Sequence, residues 1–217
     1  MKRFSRRALL ASAGTLSAGG LAGCLGGGSG GSGGNGSGDE RECSGEQRSV
    51  EVPPLGDPES DVVVTAYEDF ACPGCKQYAE NTAPEIKAEY AEPGDIAYEH
   101  RDFPFHGEWS WPVANASLAV FEDAGAEAYY PFIEEVYQYQ GEYSADNVAG
   151  LAAELGASEQ PVREAIESGP FCEQLKESKS EGQQRGIEAT PTVFVNDQQL
   201  QAPSVEELRE AIESALS

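Results

Sequence analysis

The sequence predicts an α/β domain with an α-helical insertion, and three observations lead to that prediction. Residues 61–67 (DVVVTAY) form a continuous β-branched run, which is typical of a strand buried on both faces. Residues 72–92 have a helical pattern and residues 96–101 (IAYEHR) have a strand pattern, so the three segments make a βαβ unit. Residues 111–185 then carry helical signals without strand signals, before strands return near the C-terminus.

The remaining elements follow from local signals. A short first strand is predicted over residues 49–52. Pro84 is expected to kink or end the helix of residues 72–92, because proline cannot donate a helical hydrogen bond. Glycines punctuate the insertion into a series of predicted helices: residues 113–123, 128–139, 144–155, 161–168 and 171–185.

The C-terminal segment predicts a hairpin and a final helix. Thr192–Val195 is apolar, and Gln198–Gln201 can pair with it across a two-residue turn. A helix over residues 205–216 is indicated by Ser204, which can form a capping box with Glu207 three positions later.

The charge of the chain is strongly negative, since 38 acidic and 14 basic residues give a net charge of −24. Nucleic-acid binding is not expected, because phosphate contacts need clustered Lys and Arg. Self-repulsion at this charge weakens a compact state at low salt and is screened at molar salt. We therefore expect a high-salt, haloarchaeal source, with an ordinary acidic secreted protein as the alternative.

The N-terminal segment has the features of an export signal. A basic start and a short, weakly apolar stretch predict a signal peptide over residues 1–23. Residues 5–10 (SRRALL) resemble a twin-arginine signal, and residues 21–24 (LAGC) resemble a lipobox in which Cys24 is lipidated. The Gly/Ser run within residues 24–47 predicts a flexible linker. We expect a lipid anchor on the extracytoplasmic face of the cell membrane, and a plain secreted protein with a stray Cys24 is the alternative.

Cys72 and Cys75, in the sequence CPGC, form the motif that carries chemistry. They follow the buried strand and begin the predicted helix, where backbone N–H groups and the helix dipole stabilise a thiolate. Cys72 is expected at the exposed tip, where it would attack a disulfide, and Cys75 would resolve the mixed disulfide from one turn further in. Pro73 suits the helix start, where its missing N–H costs nothing.

A Cys-x-x-Cys pair also occurs in zinc sites and as a purely structural bridge. Zinc would need two further ligands, and the remaining Cys and His residues outside the anchor form no second ligand pair: Cys43, Cys172, His100 and His106. An extracytoplasmic location favours disulfide chemistry over structural zinc. We therefore expect neither a metal ion nor another cofactor.

A second motif lies far downstream of the first. Residues 186–195 (GIEATPTVFV) place Pro191 directly before a β-branched strand, at a position where no ladder donor is needed. Together with residues 67–76 (YEDFACPGCK) and residues 101–104 (RDFP), this layout resembles the DsbA-like branch of the thioredoxin superfamily. The resemblance covers about residues 48–215.

The resemblance implies a thioredoxin-like fold over residues 48–217, with a central mixed sheet flanked by helices. It implies that Cys72 is the nucleophile and Cys75 the resolving thiol of a redox-active disulfide. Pro191 would be a cis proline packed against that disulfide, and the backbone of Thr190 would bind an incoming substrate strand.

The chain departs from the family at two places. Gly74 stands where strongly oxidising members carry a histidine that stabilises their thiolate. The sequence therefore does not determine the reduction potential of the Cys72–Cys75 pair. Ala66 stands where thioredoxins carry a buried acid. Asp69, which is nearer to Cys72, is a candidate acid or base during exchange, and a solvated or helix-capping carboxylate is the alternative.

Cys43 and Cys172 remain outside the motif. Unpaired cysteines are uncommon in an oxidising compartment, so a structural disulfide between Cys43 and Cys172 is one hypothesis. The alternatives are a free buried Cys172 or pairing with another protein, because a disulfide requires a short Cα separation that the sequence does not reveal.

These features predict an extracytoplasmic thiol–disulfide oxidoreductase, expected to be a monomer. It would exchange disulfides with exported cysteine-containing proteins and with a membrane redox partner. A disulfide oxidase is the simplest version, and a reductase or isomerase is the alternative on the same fold. A non-catalytic binding lipoprotein, with the cysteines as a staple or as ligands, is the alternative outside this class.

Overall fold

The computed structural model describes Cys43 and residues 45–217. The predicted signal peptide, the lipidation site Cys24 and most of the predicted linker lie outside the described residues. Within the part that is described, no helix is long and apolar enough to cross a lipid bilayer.

In the described residues, a five-stranded mixed sheet forms the centre of the domain, with the strand order β1-β3-β2-β4-β5. β2 and β3 are parallel, and the other neighbouring strands pair antiparallel. The strands are β1 (Leu55–Gly56), β2 (Val63–Glu68), β3 (Ala97–Asp102), β4 (Thr192–Val195) and β5 (Gln198–Gln201). The predicted α/β class is confirmed.

The connection from β2 to β3 is a continuous helical run over residues 73–91. Its parts are α1 (Pro73–Gln77), a π-helical turn (Tyr78–Thr82), α2 (Ala83–Ile86) and a second π-helical turn (Lys87–Ala91). The Ala83 N–H donates to the Tyr78 carbonyl five residues back, and Pro84 next to it has no N–H to donate. The helix accommodates Pro84 with a π-helical turn and does not end there.

The insertion between β3 and β4 is helical, as predicted. It contains α3 (Ser110–Ala124), α4 (Ala126–Glu135), a 3₁₀ turn (Val136–Tyr139), α5 (Ala145–Glu154), α6 (Glu159–Ser168) and α7 (Cys172–Gln184). Each predicted helix is present, with its ends shifted by a few residues at most.

The C-terminal segment matches the prediction closely. β4 and β5 form the expected hairpin, and Asn196 in its turn has φ = +52°, a conformation that Asn tolerates better than most residues. The final helix, α8, spans Val205–Leu216. Ser204 and Glu207 form the predicted capping box, in which each side chain bonds the backbone N–H of the other.

The predicted first strand over residues 49–52 is wrong. The Val50 N–H donates to Gln174 Oε1 at 2.9 Å, and Gln174 Nε2 donates to the Val50 carbonyl at 2.8 Å. A side chain of α7 thus satisfies the backbone groups that a neighbouring strand would have satisfied. The first strand is instead Leu55–Gly56, which pairs with Tyr98 and Ala97 of β3.

Helices cover both faces of the sheet, and the apolar core lies between the sheet and these helices. The helical run of residues 73–91 and α8 bury one face of the sheet against apolar residues that include Val64, Ala66, Ile86, Leu208 and Ile212. On the other face, Tyr67 and Phe194 pack with Phe103 and Ile187. The helical insertion has its own apolar core, which also includes Cys72 and Cys75.

Cys43 and Cys172 form a disulfide, with Cα atoms 5.5 Å apart. Cys172 is the first residue of α7. The bond therefore joins the start of the described chain to the helical insertion, which is the pairing that the sequence left as one of several alternatives.

Candidate active site

Cys72 lies at the junction of β2 and the helical run that follows. It is the N-cap of α1, with extended backbone angles, and Pro73 is the first helical residue. The sequence placed Cys72 at an exposed tip, but only 6% of its surface is exposed. The loop before β4 is the reason, because the Cys72 thiol donates to the Thr190 carbonyl oxygen at 3.3 Å.

The pKa of the Cys72 thiol is lowered to about 5. The largest cause is the hydrogen bond from the Cys75 side chain, which favours the thiolate. Burial works in the opposite direction, while the side chain of Thr190 and the backbone N–H groups of Cys75 and Gly74 lower the pKa further. Cys72 is therefore a thiolate at neutral pH when the pair is reduced.

Cys75 has the opposite character. It is fully buried, and its Sγ accepts a hydrogen bond from the Asp69 N–H at 3.3 Å. Burial, its hydrogen bond to Cys72 and the negative charge of Glu68 raise its pKa well above the ordinary range. Both thiols are free. Cys72 has the properties of a nucleophile, and Cys75 is a buried thiol that stays protonated.

The loop before β4 closes over the cysteines. The Thr190–Pro191 peptide bond is cis. A Cβ atom added at Gly74 would lie 3.2 Å from Pro191 Cδ and 3.7 Å from Cys72 Sγ. The glycine between the cysteines thus lets Pro191 pack closely on the motif.

Asp69 is buried and accepts four hydrogen bonds. Its Oδ1 accepts from the Ala71 N–H and the Ser110 hydroxyl, and its Oδ2 accepts from the N–H groups of Phe105 and His106, all between 2.7 and 2.8 Å. These contacts favour a positioning role over the acid–base role that its place in the sequence suggested. Asp69 holds the segment that precedes α3 against the turn that carries Cys72.

Two side chains of the insertion hold the same turn, and the sequence did not identify them. Gln140 Nε2 donates to the carbonyls of Phe70 and Cys72, both at 2.9 Å, and the Tyr143 hydroxyl donates to the Phe70 carbonyl at 3.0 Å. Nothing in the local sequence marks Gln140, because its partners lie about 70 positions earlier in the chain.

A buried polar cluster lies on the sheet face that the Cys75 helix covers. His100 Nδ1 lies 3.2 Å from Glu68 Oε1, and His100 Nε2 lies 3.3 Å from Asp102 Oδ1. The Tyr137 hydroxyl donates to Glu68 Oε2 at 3.3 Å. No motif in the sequence marks His100 as part of this cluster. Asp102 lies one residue beyond the predicted strand and two residues after His100, and an extension of that strand by one residue would have placed both side chains on one face.

Across Cys43 and residues 45–217, no group of three or more His, Cys, Asp or Glu side chains is arranged to hold a metal ion. The two free thiols at the start of α1 are the groups of the site that can carry out sulfur chemistry. They define a thiol–disulfide oxidoreductase of the thioredoxin class.

The chain belongs to the thioredoxin family whose model, described as "Thioredoxin", matches residues 49–214. Disulfide bond formation protein D of Bacillus subtilis (strain 168) is 28% identical over 171 residues, which cover 76% of this chain and 77% of that protein.

Two solved structures are similar to the fold. The crystal structure of oxidised BdbD from Bacillus subtilis is 25% identical, with a TM-score of 0.70 over 81% of this chain and 99% of that chain. The structure of Chlamydia trachomatis DsbA is 26% identical, with a TM-score of 0.69 over 75% of this chain and 89% of that chain. These similarities confirm the thioredoxin-like fold and the DsbA type of the enzyme.

Proposed function

We propose that the protein is an extracytoplasmic disulfide oxidase in which Cys72 is the nucleophile and Cys75 the resolving thiol. The arrangement that carries this proposal is the free thiol of Cys72 at the N-cap of α1 beside Cys75, whose hydrogen bond is the chief reason why the pKa of Cys72 is lowered to about 5. A stabilised thiolate stabilises the reduced form of the pair, and the disulfide then becomes a stronger oxidant.

In this reaction a substrate thiolate attacks Cys72 Sγ of the Cys72–Cys75 disulfide. The S–S bond breaks and Cys75 leaves, taking up a proton. A second substrate thiolate then attacks the substrate sulfur of the mixed disulfide, and Cys72 leaves as a thiolate. The substrate loses two electrons and the protein gains them, so a membrane redox partner that accepts two electrons must restore the disulfide.

Thr190 and Pro191 are proposed as the substrate-binding residues. The Thr190 carbonyl lies in contact with Cys72 Sγ, so a substrate backbone that bonds Thr190 would present its cysteine next to the nucleophile. Exported cysteine-containing proteins are the proposed substrates, and the names of the relatives, which are disulfide bond formation proteins, support this choice.

The location is proposed from the leader sequence. Residues 1–23 would direct export by the twin-arginine route, and lipidated Cys24 would hold a monomer at the outer face of the membrane. A Cys24→Ser variant expressed in its host should leave the membrane fraction and appear in the medium. Retention of that variant at the membrane would remove the lipid anchor from the proposal.

A high-salt source is proposed from the net charge of −24. Screening of this charge should raise the midpoint of urea unfolding between low and molar KCl. A midpoint that does not rise would contradict a halophilic origin.

The reduction potential of the Cys72–Cys75 pair tests the direction of electron flow. It can be measured by equilibration with glutathione buffers at high salt. A value near about −120 mV, that of strong disulfide donors, would support the oxidase, and a value near about −270 mV, that of thioredoxin, would indicate a reductase. Absence of a redox equilibrium would leave a structural or binding role for the cysteines.

A further inference from the structure

The side of β3 that faces away from β2 is open over the second half of the strand. On that side, β1 pairs with Ala97 and Tyr98 at the start of β3. Farther along, the described part of the chain supplies no strand that pairs with residues 99–102 on this side. We call this side of residues 99–102 the open edge.

The ladder between β2 and β3 shows which backbone groups face the open edge. The Ala97 N–H donates to the Val62 carbonyl at 3.0 Å, so the odd-numbered residues of β3 direct their backbone groups toward β2. The even-numbered residues His100 and Asp102 direct theirs outward. The Asp102 carbonyl accepts the Ser178 hydroxyl at 2.7 Å. Among the described residues, no hydrogen bond satisfies the His100 N–H, the His100 carbonyl or the Asp102 N–H.

A proline keeps the protein's own N-terminal segment off the open edge. Leu55 and Tyr98 are antiparallel partners, so an extension of β1 by two residues would place Pro53 opposite His100. Pro53 has no N–H to donate to the His100 carbonyl. Its own carbonyl accepts instead from the Tyr130 hydroxyl at 2.8 Å, and that hydroxyl also lies 3.3 Å from the Tyr98 carbonyl.

A cavity of about 670 Å³ lies along the open edge. Residues 49–54 line it together with residues 99–102 and with one face of α7, from Gln174 to Glu181. Its volume lies within the range of about 300–1,000 Å³ that is usual for binding pockets. His100 and Asp102 are buried residues, and buried backbone groups are nearly always paired. Unpaired strand groups that line a cavity favour the addition of a further strand.

The lining of the cavity is acidic. Glu51, Glu177 and Glu181 contribute exposed carboxylates. The guanidinium of the lining, that of Arg101, already bonds Glu99 at 3.1 Å. Such a lining attracts a cationic partner. It disfavours a second copy of this chain, because the net charge of the chain is −24.

We propose that the open edge of β3 is a docking site for an extended, basic segment of another protein, which adds to the sheet as a strand. The backbone of the segment pairs with His100 and Asp102. Its Lys or Arg side chains lie among the carboxylates of Glu51, Glu177 and Glu181. Backbone pairing holds the segment in the cavity, and the charges select which segments bind.

This docking site is separate from the substrate contact proposed at Thr190. In the strand order, β3 lies on one side of β2, and β4, which follows Thr190 and Pro191, lies on the other. The inference goes beyond the proposed function, since docking at the open edge involves no step of thiol–disulfide exchange. A failure of the exchange reaction would therefore leave the docking site untouched.

A short peptide of alternating Lys and Val, with blocked ends, provides the test at the lowest salt at which the protein stays folded. Calorimetry measures its affinity beside two reference peptides, one with Glu in place of Lys and one with N-methylated peptide bonds. We expect the Lys peptide to bind at least about tenfold more tightly than either reference, because one lacks the charge and the other lacks the strand donors.

Nuclear magnetic resonance locates the bound peptide. The amide signals of His100 and Asp102 should shift, and their hydrogen exchange should slow by about tenfold or more when the Lys peptide binds. The N–H groups of Glu99 and Arg101 face β2, so their exchange should change little and they serve as internal references.

A charge-reversal pair tests the choice of partner. Glu51→Lys with Glu177→Lys should weaken binding of the Lys peptide by about tenfold, through two lost attractions and two new repulsions. Glu167→Lys with Glu210→Lys is the matched control, because both residues are exposed, lie outside the cavity lining and change the net charge equally. Affinity in the control should stay within about twofold.

Three results would overturn the docking site. They are no binding of the Lys peptide at about 1 mM, binding without a shift of the His100 amide, and equal weakening by both charge-reversal pairs. A His100 amide that shifts with protein concentration alone, together with a dimer in ultracentrifugation, would place a second copy at the open edge and would also overturn it. If the Glu51 and Glu177 pair does not fold, the three peptides on the unmodified protein decide.

Discussion

The Sγ atom of Cys72 lies 3.3 Å from the carbonyl oxygen of Thr190, so the nucleophile and the loop before β4 are in direct contact. This contact depends on the proton of the thiol, because a thiolate has nothing to donate. With a pKa of about 5, Cys72 has lost that proton at neutral pH. The Thr190 carbonyl is then free to accept an N–H of an incoming chain at the point where the sulfur reacts.

The reactivity of Cys72 should titrate at low pH. Because the hydrogen bond from Cys75 is the largest cause of the low pKa, the alkylation rate of the reduced protein should rise with a midpoint near 5 and change little above about pH 6.5. Cys75→Ala should move the midpoint upward by about one unit or more. Iodoacetamide kinetics measure both, with Cys72→Ser as the blank. A midpoint near that of a free thiol in the unmodified protein would contradict this assignment.

The Tm of the reduced form should rise relative to the Tm of the oxidised form as pH rises. The folded-state pKa of Cys72 is depressed, so its stabilising contribution is present above the unfolded pKa and is lost as pH falls toward about 5. Only the reduced form has this thiolate. The difference in Tm, reduced minus oxidised, should therefore increase by several degrees between pH 5 and pH 8. Calorimetry measures it, with two free thiols per reduced chain confirmed by titration, and a flat difference would count against the thiolate.

Gln140 should matter more for reactivity than for folding. Replacing it with Leu removes the two hydrogen bonds to the carbonyls of Phe70 and Cys72, at a cost of about 1–3 kcal/mol in unfolding free energy. The turn that carries Cys72 would lose its fixed position, so disulfide exchange should slow by more than the stability loss explains. Urea unfolding and exchange kinetics test this together. Gln138→Leu is the matched control, because Gln138 is exposed two positions earlier.

The Cys43–Cys172 disulfide should stabilise the domain without tuning the active site. It closes a loop with a sequence separation of 129, so the paired Cys43→Ser and Cys172→Ser change should lower the unfolding free energy by about 2–5 kcal/mol. The double change avoids leaving a lone thiol. Urea unfolding measures the loss, and the alkylation midpoint of Cys72 should not move. A moved midpoint would mean that the two sites are coupled.

Local patterns predicted most elements because those elements are determined by local signals. β4, β5 and α8 match because an apolar run, a two-residue turn and a capping box all lie within a few residues of the segments they define. Residues 49–52 failed because their backbone partner is the Gln174 side chain, more than 120 positions away. A propensity pattern carries no information about such a partner.

The features of the site also divide into those that local sequence predicts and those that depend on tertiary contacts. The CPGC motif identified the two thiols, and their position at a helix start gave the physical reason for a thiolate. The support of the turn by Asp69, Gln140 and Tyr143 depends on tertiary contacts that no spacing reveals. The burial of Cys72 was missed for the same reason, since Thr190 and Pro191 cover it from the far end of the insertion.

The covalent link between Cys43 and Cys172 also determines how the domain bears a mechanical load. Any pull on the chain from the N-terminal side of Cys43 passes through the sulfur atoms into the start of α7. The segment from residue 45 to β1 lies outside that line of force, so such a pull does not act directly on the pairing of β1 with β3 while the bond is intact. A domain held from that side would be restrained first at its helical insertion and not through the strands that position Cys72.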